Sequence, residues 1–272
     1  MNDSCRDLLD EYQDLAALAQ TLGAEEWARA TDFHGWSAWD EIAHLCFFDE
    51  ASLLAIGDAD AFQREALELG RLMAAGGHIS AVARERYRGL DGPALLARWR
   101  QRHEALVAGL AALDARHRLP WYGPPMSARS FATARLMETW AHGQDIWDAL
   151  GRRRPASVRL RHIAHLGVGT FGWTFVNRGQ PVPEPMPYVE LAAPDGATWQ
   201  WGEPSARHYV RGTAEDFCLL VTQRRHLDDT ALAYSEGAAT QWLAQAQCFA
   251  GPPADGPAAG TRARRVAAGG AG

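Results

Sequence analysis

Apolar residues recur at three- and four-residue intervals along most of the first 180 positions, then give way to short alternating runs. Residues 4–23 carry Leu8, Leu9, Tyr12, Leu15, Leu18 and Leu22 at helical spacing, and Gly23 is the stop. After a loop at 31–36 (TDFHGW), a second helix is predicted from Ser37 to Gly57. Ser37 and Asp40 stand at capping-box spacing, with Asp in the place usually held by Glu. Residues 60–89 read as shorter helical pieces broken by Gly70, Gly76 and Gly77. A long helix fits 93–115, with Pro93 near its first turn. RLPWYGPPM (118–126) reads as a rigid loop. Further helices are predicted at 127–150, closed by Gly151, and at 156–177, where Val158, Ile163, Leu166, Val168 and Phe171 mark the apolar positions.

The period changes after PVPEPMP (181–187), a proline-rich stretch of the kind that separates domains. YVELAAPDG and ATWQWG alternate as strands, with PDG as a turn, and ARHYVRG offers a third strand. Residues 213–225 and 236–249 read as helices around a short strand near Leu232–Tyr234. The expected class is mainly α: a helical domain over 1–180, a small α+β domain over 181–250, and a tail over 251–272. That tail is too poor in apolar side chains to order itself.

Composition narrows the partners. With 47% hydrophobic and 22% charged residues in 272, the chain is an ordinary soluble globular protein. All 27 basic residues are Arg, against 33 acidic ones, for a net charge of −6. Apart from Arg152–Arg154 and the Arg-bearing tail there is no basic stripe, which argues against nucleic acid. No apolar run nears the roughly 18–20 residues that span a bilayer, and MNDSCRDLLDEYQ is acidic and amphipathic rather than a secretory leader. Cys5, Cys46, Cys218 and Cys248 are far apart, with no CxxC pair, so neither a disulfide scaffold nor a zinc ribbon is expected. The expectation is a cytoplasmic protein with a small-molecule substrate and no nucleic-acid or membrane partner; a homodimer is compatible with the chain.

Two segments carry candidate chemistry. His44 lies two turns into the second helix among Ile42, Ala43, Leu45, Phe47 and Phe48. Alone, such a residue is more often a hydrogen-bonded core histidine than a ligand. Glu138 and His142 are four apart on the 127–150 helix and share one face. Alone, that pair also reads as a surface pair stabilising the helix by about a few tenths of a kcal/mol. Together the three residues make a two-histidine, one-carboxylate set suited to catalytic Zn²⁺, and also to Fe²⁺ or Ni²⁺. Asp145, one turn beyond His142, is either a carboxylate orienting an imidazole from behind or a solvated helix residue. Trp36, Trp140 and Trp147 read as core or pocket wall. Cys46, two residues after His44, points away from that side chain, so none of the cysteines reads as a nucleophile.

GWSAWDEIAHL followed about ninety residues later by ETWAHGQDIWDAL resembles the DinB-type metal-binding bundle. More narrowly, it is similar to mycothiol-dependent maleylpyruvate isomerase-like proteins. GTAEDFCLLVTQRRHLDD with WLAQAQCFAGPP resembles the smaller sterol-carrier-like domain fused to that bundle. The resemblance implies a four-helix bundle with a divalent metal, zinc first, at His44, Glu138 and His142. It also implies a low-molecular-weight thiol such as mycothiol as cosubstrate. Arg224 and Arg225 fall where relatives place an Arg near the thiol; a plainer reading makes them the cationic end of the 213–225 helix. The implied chemistry is metal activation of the thiol for S-transfer to an electrophile or for thiol-assisted isomerisation. A thiol-independent hydrolase or natural-product cyclase on the same fold is the alternative, and a non-catalytic binding protein is the third reading.

Overall fold

Leu8, Tyr12, Leu15 and Ala19 form one stripe of α1 (Asn2–Gln20), and all four are fully buried. A single turn, α2 (Ala24–Trp27), leads through a tight loop to α3 (Ala38–Gly57). The Ser37 hydroxyl caps α3 by accepting from the Asp40 amide at 3.3 Å, while the Asp40 carboxylate accepts from the Ser37 amide at 2.8 Å, as the spacing predicted. Then come α4 (Ala59–Ala74), α5 (Ile79–Arg86) and α6 (Gly92–Ala111). The chain turns at Gly76, whose φ of +86° suits glycine; Gly70 sits inside α4 without breaking it. The predicted loop at 118–126 is bracketed by a short antiparallel pair, β1 (Arg118–Leu119) and β2 (Met126–Ser127), which delivers the chain to α7 (Ala128–Ala149).

The computed structural model describes residues 1–262, divided into two units between Arg152 and Arg153. In the first unit, α1, α3, α6 and α7 pack as a four-helix bundle. One buried carboxylate ties all four together. Asp49 of α3 accepts from the Tyr12 hydroxyl of α1 at 2.6 Å and the Trp99 indole of α6 at 2.8 Å. It also pairs with the Arg135 guanidinium of α7 at 2.9 Å. All four residues are buried.

The start of α6 lies under the Trp27 ring, which a Cβ at Gly92 would overlap. Gly92→Ala is expected to cost about 1–3 kcal/mol, as overpacking does; an unshifted urea midpoint would contradict this.

His103 of α6 stacks on Tyr12 with ring centroids 4.5 Å apart, and its Nδ1 has no hydrogen-bond partner among the described residues. Burial, helped by the Arg100 charge, pushes its imidazole down to about 4. The fold therefore holds the ring neutral while the unfolded chain takes up a proton below about 6.5. Stability is retained above that pH and is lost as pH falls through the window from about 6.5 to 4, by up to about 3 kcal/mol. Comparing unfolding free energies at pH 7 and 4.5 for the wild type and His103→Leu checks this: the substitution should flatten that part of the slope.

The second unit is built around α8 (Leu160–Gly169), α9 (Phe171–Val176), β3 (Tyr188–Ala192), β4 (Thr198–Trp201), β5 (Tyr209–Thr213), α10 (Ala214–Val221), β6 (Ala233–Tyr234) and α11 (Ala238–Leu243). The four strands form one sheet in the order β4-β3-β5-β6, with β3 and β5 parallel and the other pairs antiparallel. The sequence placed the domain boundary at 180; the structure places the unit boundary before α8. The reason is packing: Gly167 brings α8 so close to α10 that a Cβ there would stand 2.9 Å from Val221 and 3.0 Å from Phe217. The helix predicted over 156–177 splits at Thr170, whose hydroxyl donates to the Leu166 carbonyl at 3.0 Å while its backbone leaves helical geometry. The tail was expected to be disordered from 251. Over 251–262 it is instead tied down: the Ala254 amide donates to Gln247 at 3.0 Å, the Gly260 amide to Asp229 at 2.9 Å, and Arg178 pairs with Asp255 at 3.0 Å. Backbone hydrogen bonds to buried or charged side chains replace the apolar contacts that the composition lacks. Residues 263–272 of the expected tail lie outside the described residues. Among the described residues, no helix is long and apolar enough to cross a membrane.

Candidate metal centre

α3 and α7 pack against each other in the bundle, and their facing stripes carry the charged groups. His44 comes from α3, and Glu138 and His142 from successive turns of α7. One donor atom from each of the three lies within 4.8 Å of the others. Glu138 Oε2 is 3.3 Å from His142 Nε2 and 3.7 Å from His44 Nε2. The two histidines are buried, whereas the Glu138 side chain keeps 26% of its surface in contact with solvent and marks the open side. Burial works to raise the Glu138 carboxyl, but the hydrogen bonding and charge of His142 and then His44 outweigh it and hold the group well below the usual carboxylate range.

Aromatic rings fill the space around the imidazoles. Trp36 lies nearly parallel to His142, with planes 9° apart and centroids 5.9 Å apart, and Phe33 meets the same ring edge-on at 5.2 Å. Phe48, one turn beyond His44 on α3, packs on His44 at 4.7 Å and in turn on Tyr122 at 5.5 Å. Phe33 and Trp36 reach the site because the 31–36 loop closes on itself. The Thr31 amide donates to the Trp36 carbonyl at 2.6 Å, Ala30 bridges Ser37, and His34 and Gly35 take the left-handed backbone region with φ of 52° and 69°. Trp36, read from the sequence as core or pocket wall, is buried and packs against both imidazoles.

The sequence analysis did not single out Glu41. This residue is wholly buried on α3, and its Oε2 lies 2.7 Å from His142 Nδ1. Its Oε1 accepts from the Thr31 hydroxyl at 2.9 Å. A signal was present: Glu41 precedes His44 by three and Phe48 by seven, which sets an acid on the same inward stripe. Asp145, read as either a carboxylate orienting an imidazole or a solvated helix residue, is buried, so it is not solvated, and one of its oxygens joins Glu41 and His142 in a second group within 4.8 Å.

Arg224 and Arg225 belong to the second unit. They lie just past α10, not in its last turn, because Gln223 with φ of 58° closes the helix and both Arg amides donate to the Leu219 carbonyl. They are buried, and their guanidinium groups donate to the Thr222 and Arg224 carbonyls at 2.8 and 2.7 Å. All four cysteines are free and buried. Burial pushes the Cys46 thiol up to about 12.

The family profile of the mycothiol maleylpyruvate isomerase N-terminal domain matches residues 8–147, which span α3 and α7 and all three donors. Two uncharacterized proteins of Mycobacterium tuberculosis, from strains CDC 1551 / Oshkosh and H37Rv, are each 46% identical to this chain over 253 residues. Those alignments cover 92% of this chain and 96% of each relative. Among solved structures, the crystal structure of the mycothiol-dependent maleylpyruvate isomerase superposes with a TM-score of 0.53 at 14% identity, covering 80% of this chain and 87% of that one. A histidine-to-alanine mutant of the same protein superposes with a TM-score of 0.52. At that identity the superposition speaks for the fold.

Proposed function

Because this chain belongs to the mycothiol maleylpyruvate isomerase N-terminal domain family, we propose that it is an enzyme holding a divalent metal ion at His44, Glu138 and His142. Its cosubstrate is a low-molecular-weight thiol of the mycothiol class, acting on an electrophilic small molecule. The observation that carries this reading is the convergence of the three donors. Donors around a tetrahedral ion at about 2.1 Å stand about 3.4 Å from one another, and the two nitrogen–oxygen separations at Glu138 are 3.3 and 3.7 Å. Two neutral imidazoles and one carboxylate suit zinc first, and nickel or iron as well. When bound, such an ion with an open position supplies the Lewis acidity that brings a thiol from its ordinary pKa of about 8.5 into the neutral range.

The protein's own residues do the rest. Glu138 supplies the negative charge and faces the open side. Trp36, Phe33 and Phe48 keep water from the buried faces of the two imidazoles. The sulfur comes from outside the chain, because Cys5, Cys46, Cys218 and Cys248 are all buried. Addition of the thiolate to an activated carbon–carbon double bond forms a carbon–sulfur bond, breaks the π bond by moving its electron pair onto the electron-withdrawing group, and leaves a single bond free to rotate. Return of that pair expels the thiolate and gives cis–trans isomerisation; protonation of the adduct by water gives the S-conjugate.

Metal analysis and thermal unfolding test this. Purified protein should take up one zinc ion per chain. Mycothiol at 100 times its Kd should then stabilise the metal-loaded protein by about 2.7 kcal/mol, with no gain after chelation. Absence of metal uptake would favour a binding protein; uptake with no thiol response would favour a thiol-independent metal enzyme.

A further inference from the structure

We propose that Glu41, anchored by Thr31, is a positioning residue that fixes the ring of His142 for ion binding; the inference rests on the metal-site reading above. A carboxylate with no exposed surface is costly unless both its oxygens are hydrogen-bonded, and Glu41 directs one to His142 Nδ1 and the other to the Thr31 hydroxyl. When the Nδ1–H of an imidazole is donated, Nε2 carries the lone pair. Nε2 is the atom of His142 that lies 3.3 Å from Glu138 in the donor group. The hydrogen bond to Glu41 thus selects the tautomer in which His142 is a ligand.

The same contact sets the ring's rotation. The Glu41 bond holds one edge in plane, Trp36 covers a face, and Phe33 abuts the ring edge-on. Thr31, Phe33 and Trp36 all belong to the loop closed by the Thr31 amide on the Trp36 carbonyl, so one short segment carries three of the parts that hold His142. One oxygen of Asp145 lies within 4.8 Å of donor atoms of Glu41 and His142, and the three would themselves suit an ion. The 2.7 Å separation from Nδ1 to Glu41 is a hydrogen bond, and it occupies the nitrogen that such an ion would need.

The test uses the full chain, stripped of metal and titrated with Zn²⁺. Long-range proton–nitrogen NMR reads the His142 tautomer in the metal-free protein, and chelator competition reads the Zn²⁺ affinity. Wild type is expected to show the Nδ1–H form. Glu41→Ala is expected to raise the share of the Nε2–H form and to weaken Zn²⁺ binding about 10–100-fold, the usual effect of removing a partner behind a ligand. Glu41→Gln, which keeps an acceptor oxygen, should restore part of both. Thr31→Val leaves Glu41 in place and should move both readouts the same way by less, so the inference stays testable if Glu41→Ala does not fold. A folded Glu41 or Thr31 variant with wild-type tautomer and wild-type Zn²⁺ affinity overturns this inference alone. So does a second zinc ion per chain lost on Asp145→Asn, because Glu41 would then be a ligand. Failure of the wild type to bind Zn²⁺ overturns the metal-site reading and this inference with it.

Discussion

Substituting His44 by alanine is expected to weaken metal binding by more than about 100-fold, beyond the 10–100-fold range typical of residues that act from behind a ligand. The reason is stoichiometric: with three protein donors, loss of one leaves Glu138 and His142, a neighbouring pair on one helix. The neutral imidazole and the carboxylate that remain no longer span α3 and α7. The fold should survive, because His44 lies at the edge of the core and has 9% of its surface exposed. Metal content after gel filtration and the metal-dependent thermal shift are the two measurements. Wild type should gain about 2.7 kcal/mol at an ion concentration 100 times its Kd, and the variant should gain nothing. Full occupancy in a folded His44→Ala protein would show that α3 contributes no ligand.

The second large effect is on stability. Asp49→Ala is expected to destabilise the first unit by about 3–5 kcal/mol, because it leaves the Arg135 guanidinium buried without its carboxylate. Burial raises the Asp49 carboxyl above its ordinary value, with the Arg135 charge and the Tyr12, Trp99 and Arg135 hydrogen bonds working against that rise. The group belongs in the core only with those partners present. The loss should be partly recovered in Asp49→Ala combined with Arg135→Met, since removing both charges is far less costly than removing one. Urea unfolding followed by circular dichroism reads all three proteins. If the double variant is as unstable as Asp49→Ala, or the single variant matches wild type, the carboxylate is not what joins the four helices.

Much of the site was legible because its donors lie on long helices with clear periodicity. The Ser37 cap sets the phase of α3 and so the face that His44 occupies. The four-residue spacing of Glu138 and His142 puts both on one face wherever α7 lies. Glu41 escaped notice because its partner is on another helix. Helical spacing marks only acids on His142's own helix, such as Asp145, and does not record which residue of another helix a contact across 101 residues will bring to the ring. Asp49 was passed over for the same reason, since its partners Tyr12, Trp99 and Arg135 lie on three other helices.

The order of the main helices and strands, the cap of α3, the buried stripes and the shared face of Glu138 and His142 follow from the amino-acid sequence, because each depends on residues within a turn or two of one another; that His44 stands beside that pair depends on how α3 packs against α7. Tertiary structure alone decided that α8 and α9 belong with the sheet, that residues 251–262 are held by Gln247, Asp229 and Arg178, and that Glu41 of α3 meets His142 of α7. Those outcomes depend on which surfaces meet after the elements have formed. Meeting is governed by close packing and by the need to pair every buried charge, neither of which local periodicity records.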